Sequence, residues 1–146
     1  METGDVGLSR IFFAFTAMFH FLFVPLTIGL APLVALLEGV GLRTGNPVWR
    51  QAARFWGWFF LLNFVCGVVT GYPLRWQLPT HWGSYGVLVD DVATTVFHFE
   101  GKVFPLLVLA VLMFSFGWRL PTRVHFAVSC LLALLLVAQS SAILAL

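Results

Sequence analysis

A single histidine, His20, interrupts the otherwise uncharged run between Arg10 and Glu38. An imidazole in hydrocarbon is ionisable and can ligate metal, so it needs a partner and marks a candidate site. A neutral histidine hydrogen-bonded to a carbonyl is the competing structural reading. A second apolar run holds His98, Glu100 and Lys102, and a third holds Gln139, Ser140 and Ser141. Each charge buried at bilayer depth costs at least about 2 to 3 kcal/mol unless it is paired or neutralised. On a helix, His98 and Lys102 are four residues apart and share a face, whereas Glu100 points to the other side. If His98 faces His20, the two can ligate one haem iron from two helices, with Arg10 or Lys102 available to a propionate. If Glu100 turns inward instead, His20 is the sole protein nitrogen at an iron with a carboxylate nearby. Two histidines favour electron transfer, and one strong ligand leaves a face for oxygen. The spacing slightly favours the histidine pair.

The elements that must position these groups follow from composition. Across 146 residues the chain is 60% hydrophobic, 16% aromatic and only 10% charged, too apolar to solvate its surface as an ordinary soluble domain. Low-charge runs predict four membrane-spanning helices, at about 11–38, 55–74, 92–118 and 123–146, each able to cross about 30 Å of hydrocarbon. The expected fold is an all-α, integral-membrane, four-helix antiparallel bundle forming a single domain over residues 1–146. The first run is too long, follows Glu2 and Asp5, and lacks a small-residue cleavage site, so it reads as a retained helix.

Arg43, Arg50, Arg54, Arg119 and Arg123 fall in the links after the first and third helices, against Arg10 and Arg75 on the opposite side. The positive-inside rule then places both termini on the outer side, and the net charge of +2 speaks for topology and against nucleic acid binding. Gly39 to Gln51 and Arg119 to Arg123 read as inner links. Tyr72 to Asp91, with Trp76, Trp82 and Tyr85, reads as an outer loop or short flat helix in the headgroup zone. From the outer interface, His20 and His98 lie at similar depths of roughly 10 to 15 Å. His81 and His125 read as interfacial, with a Met113/His125 haem pair as a minor alternative. Cys66 and Cys130 have no C-x-x-C partner and read as small core residues.

Ser9-Arg10, Thr16 and the block His20-Phe21-Leu22-Phe23-Val24-Pro25-Leu26-Thr27 resemble the opening of subunit I of the cytochrome bd quinol oxidases. The resemblance continues through Phe55-Trp56-Gly57, Asn63-Phe64, Gly67-Val68, Thr70-Gly71, Gln77, Thr80, Trp82, Glu100-Gly101 and Phe116-Gly117-Trp118. It implies that His20 ligates a haem of an oxygen-reducing site, that Glu100 lies near it, and that the N-terminus is outside. The sequence departs from the family at Val108, where a second acid is usual, and at His98 and Lys102, where the family is usually apolar. The family subunit has further helices bearing its quinol-binding loop and other haem ligands.

The sequence therefore predicts a haem b-binding membrane subunit of a respiratory complex, holding one haem. It would pass electrons between a partner redox subunit and quinone or another haem, in the inner membrane and among other membrane subunits and lipid. His20 and His98 are the expected iron ligands, with Arg10, Lys102 and Glu100 lining the haem and no catalysis by the chain alone. Two alternatives are an oxygen-binding component of a bd-type quinol oxidase and a haem-free structural anchor.

Overall fold

Backbone amides inside a bilayer have no water to receive them, and a continuous helix satisfies them within its own segment. The computed structural model has four long helices, α1 (Thr3–Thr44), α2 (Pro47–His81), α3 (Gly83–Phe116) and α4 (Thr122–Ala145), with a 3-10 turn at Gly117–Arg119. The structure describes residues 3–81 and 83–145, and side chains for 7–77, 94–95 and 98–142. Four segments, Gly7–Thr44, Pro47–Gln77, His98–Arg119 and Thr122–Ala142, are long and apolar enough to cross a membrane. No strand occurs among the described residues.

The helices run past the expected limits of 11–38, 55–74 and 92–118. The Tyr72–Asp91 segment, expected as a loop or short flat helix, instead completes α2 and begins α3. A helix keeps its own amides bonded at that depth, where a loop would leave them to the headgroup zone. The side chains of His81 and Tyr85, and Trp82 entirely, lie outside the described residues.

The link between α1 and α2 shrinks to two residues, each suited to its place. Gly45 takes φ 68° and its N–H closes onto Gly41 O at 2.9 Å, ending α1 in the left-handed conformation that glycine adopts at little cost. Asn46 Oδ1 then accepts from Val48 N at 3.0 Å and Pro47 opens α2, an N-cap followed by a proline at the first helical position. At the other link, Leu120 is extended ahead of Pro121, and α4 starts at Thr122. Such short links set neighbouring helices antiparallel.

Among the described residues α1 packs on α2 and α4, and α3 packs on α4 and α2, so α1 and α3 stand on a diagonal of the bundle. Small residues admit the close approaches, with Ala31, Ala53, Ala110 and Ala133 in a core that also buries Val34, Phe60, Phe114 and Leu132. Much of the aromatic surface of α1 faces outward, including Phe12, Phe15 and Phe21.

Near the short links a polar cluster ties three helices. His125, expected at the interface, is 2% exposed and Glu38 is also 2% exposed. Nδ1 of His125 lies 2.6 Å from Glu38 Oε1, and its Nε2–H donates to Phe114 O at 3.0 Å. Ser129 Oγ sits 3.0 Å from Glu38 Oε2 and 3.1 Å from His125 O, one hydroxyl serving both acceptors. The ring is enclosed by Phe114 and Trp118, with centroids at 5.1 and 4.2 Å, and lies against Gly117, where a Cβ would come within 2.9 Å of Cδ2. With both nitrogens engaged and Met113 49% exposed, a Met113/His125 iron pair is corrected to a structural histidine. Breaking such a pair from one side leaves a buried uncompensated group. Glu38→Ala should therefore lower unfolding stability by about 3–5 kcal/mol. The double change Glu38→Leu with His125→Leu should recover most of that loss, as read by unfolding in detergent followed by circular dichroism.

Candidate functional site

The inward face of α1 is read in steps of three or four residues, Thr16, His20, Phe23, Thr27, Ala31, Val34 and Glu38, all buried or half-buried. Every polar side chain between Thr16 and Glu38 lies on this face. Thr27 satisfies itself by donating to Phe23 O at 2.8 Å. Thr16 bonds back to Phe12 O at 2.8 Å and lies 3.4 Å from Gln77 Oε1 on α2. His20 looks to α2 as well.

Its Nδ1 is 3.1 Å from Gly67 O and 3.3 Å from Thr70 Oγ1. A carbonyl only accepts, so the bond to Gly67 requires hydrogen on Nδ1. Thr70 agrees, since its own proton goes to Cys66 O at 2.8 Å or Gly67 O at 3.1 Å, leaving a lone pair for the imidazole. Among the described residues no hydrogen bond reaches Nε2, and the tautomer assigned by this network leaves that nitrogen's lone pair free. The ring lies flush on Gly71, where a Cβ would fall 2.7 Å from Cε1 and 3.1 Å from Nδ1. On α2, the small position Gly71 thus makes room for the ring from α1, and the Gly67 carbonyl fixes how it is turned.

A metal-ligating histidine ordinarily donates its second ring N–H to a carbonyl or carboxylate, which sets tautomer and orientation. His20 meets that requirement, and by this test the residues present fit an axial ligand. The other candidates are placed differently. His98 and Lys102 are exposed while Glu100, on the opposite side of α3, is half-buried. Because α1 and α3 are diagonal and do not touch among the described residues, the structure does not bring His98 against His20. Arg10 is exposed, ten residues or roughly 15 Å before His20 on α1. On α4, Ser140 donates back to Leu136 O at 2.8 Å, and Gln139 Oε1 is a buried acceptor with no partner among the described residues. No cluster of three metal-ligating side chains occurs among the described residues.

The signal that sequence reasoning missed is on α2. Gly67, Thr70 and Gly71 follow the i, i+3, i+4 pattern of one helix face, and only their pairing with His20 shows what that face receives.

Comparison with known proteins gives a consistent likeness. Residues 8–146 match the family model described as cytochrome bd terminal oxidase subunit I. The chain is 42% identical over 130 residues to cytochrome bd-II ubiquinol oxidase subunit 1 of Escherichia coli (strain K12), covering 88% of this chain and 25% of that protein. It is 40% identical over 124 residues to cytochrome bd ubiquinol oxidase subunit 1 of Bacillus subtilis (strain 168), covering 84% of this chain and 26% of that protein. The chain thus spans about a quarter of the length of these curated relatives. The structure of bd oxidase from Geobacillus thermodenitrificans superposes with a TM-score of 0.84 over 94% of this chain and 32% of that one, at 24% identity, a likeness of fold.

The seat makes a specific demand at Gly71. Gly71→Ala should push the ring off α2 and break the Nδ1–Gly67 bond. In protein labelled with nitrogen-15 at histidine, the His20 signal of an Nδ1–H tautomer should give way to a mixture of tautomers, while His125 keeps its signal.

Proposed function

The chain belongs to the cytochrome bd terminal oxidase subunit I family, and from that premise we propose that it is a haem-bearing component of a bd-type quinol oxidase, with His20 as an axial iron ligand. It is a multi-pass membrane protein, and we place it in the inner membrane with both termini outside. The observation that carries the reading is the seat of His20, with Nδ1 committed to Gly67 O and Nε2 left without a protein partner among the described residues.

When bound at this position, a haem supplies one-electron redox chemistry and, where its second face lacks a strong ligand, oxygen binding. The chain's own residues do the holding. The Gly67 carbonyl, by accepting from Nδ1–H, raises the basicity of the opposite nitrogen and stops the ring from rotating. Gly71 lets the ring lie flat, and Thr70 adds a second acceptor at 3.3 Å. Glu100 is the α3 group we assign to proton handling near the site, because it is half-buried where His98 is exposed. Arg10 is the cation we assign to a propionate at that end of the bundle, whereas Lys102 lies on the exposed face of α3 that His98 shares. Electrons would come from quinol through other membrane subunits of the complex, which supply the remaining ligands.

The test is the haem content of the protein purified with its copurifying subunits. His20→Ala should remove one haem equivalent from a pyridine haemochrome assay, whereas His98→Ala should leave the content unchanged. Carbon monoxide should bind the reduced parent rapidly, because an iron held by two histidines would not take it readily. Full haem retention in His20→Ala would remove the reading. Loss in His98→Ala together with slow carbon monoxide binding would restore the two-histidine arrangement.

A further inference from the structure

Arg43, Arg50, Arg54, Arg119 and Arg123 crowd the end of the bundle that carries the two short links. Among the described residues the one ion pair is Glu38 with His125, so no carboxylate there is paired with these guanidinium groups. Two of them, Arg54 and Arg119, line a groove of about 390 Å³ between α2 and the end of α3, walled by Trp58, Phe116 and Trp118 with Ser115 at its base. The Ser115 hydroxyl donates to Val111 O at 2.6 Å, so the arginines are the groove's charged donors.

We propose that this groove binds an anionic phospholipid, its phosphate held by Arg54 and Arg119 and its acyl chains laid along α2 and α3. Depth is the first support. Arg119 closes the apolar span His98–Arg119, and Arg54 lies in the second turn of the span Pro47–Gln77, so the groove sits at the end of both spans, where headgroups would meet it. Tryptophan is at home there. Shape is the second support. From Trp58, 65% exposed, the outward face of α2 continues one turn deeper to Leu62, and from Phe116 that of α3 continues to Leu112, both exposed. A free phosphate would use the arginines and leave this apolar track bare.

The groove is also preformed. Arg50 Nη2 donates to Trp118 O at 3.5 Å, and the Trp118 indole packs on His125 at a centroid distance of 4.2 Å, so one wall is anchored to the buried Glu38 cluster. Arginine binds phosphate oxygens with two parallel N–H donors, and basic pockets between membrane helices are the usual seats of anionic headgroups.

The test uses the protein with its copurifying subunits, delipidated in detergent and titrated with dioleoylphosphatidylglycerol, dioleoylphosphatidylcholine or inorganic phosphate. Retained lipid is read by native mass spectrometry and stabilisation by thermal unfolding. Phosphatidylglycerol should be retained over phosphatidylcholine, and Arg54→Gln or Arg119→Gln should each reduce that preference about 5-fold. Arg43→Gln, outside the groove, should retain it, and Arg54→Lys, which keeps the charge but loses the two parallel donors, should lose less of it than Arg54→Gln. Equal retention of the two lipids would overturn the proposal. So would an equal loss in Arg43→Gln, which would indicate diffuse surface charge, or equal stabilisation by inorganic phosphate alone. A photoreactive residue at position 58 should crosslink lipid, and capture of a polypeptide in its place would also overturn it.

Discussion

An ionisable side chain buried in hydrocarbon is costly without a partner inside the protein, and this requirement orients α1 in the bundle. On α1 it draws Thr16, His20, Thr27 and Glu38 onto one face, the only face where neighbouring helices can answer them. The answers differ in kind. Thr27 bonds to its own helix, Thr16 reaches both its own helix and Gln77, and His20 and Glu38 depend wholly on other helices. Consequently α1 cannot rotate about its axis without stranding two ionisable groups roughly 27 Å apart along its length.

The two buried histidines show how the same requirement yields opposite outcomes. Both rings lie against a glycine, His20 on Gly71 and His125 on Gly117, because a Cβ would come within 3 Å of either ring. His125 has protein partners at both nitrogens, one of them a carboxylate from α1, and so has nothing left to offer. His20 has acceptors at Nδ1 alone. An imidazole satisfied on both sides is a tie between helices, and one satisfied on one side presents a lone pair. Burial does not distinguish them, since the better buried of the two is the structural one.

Much of this was legible in the chain. The four helices follow from the low-charge runs, the turn from Asn46-Pro47 and the α4 start from Pro121, because these signals act locally. His20 was legible from its type and surroundings. His125 was not, because its neighbour Arg123 argues for the interface while its burial is decided by Glu38, 87 residues earlier in the chain. The same limit applied at Tyr72 to Asp91, where prolines and aromatics locally favour a loop and the helix prevails. For α3, periodicity put His98 and Glu100 on opposite faces but could not say which face turns inward. That depends on where α4 and α2 sit against it.

The diagonal placement of α1 and α3 bears on how a site is shared between them. Among the described residues the α1–α2 interface is the most extensive in the bundle, and the contacts of the His20 ring lie within it. Among the described residues, every contact that orients the ring comes from α2. Glu100 belongs to a helix that α1 does not touch among the described residues. In such an arrangement ligation and proton handling are separable. The α1–α2 pair orients the imidazole, and under the proposed reading the carboxylate on the diagonal helix would act separately from it. A direct His20–Glu100 contact would have coupled the two and consumed the free nitrogen, as Glu38 does at His125. With Glu100 on the diagonal helix, the described residues place no carboxylate on Nε2 of His20.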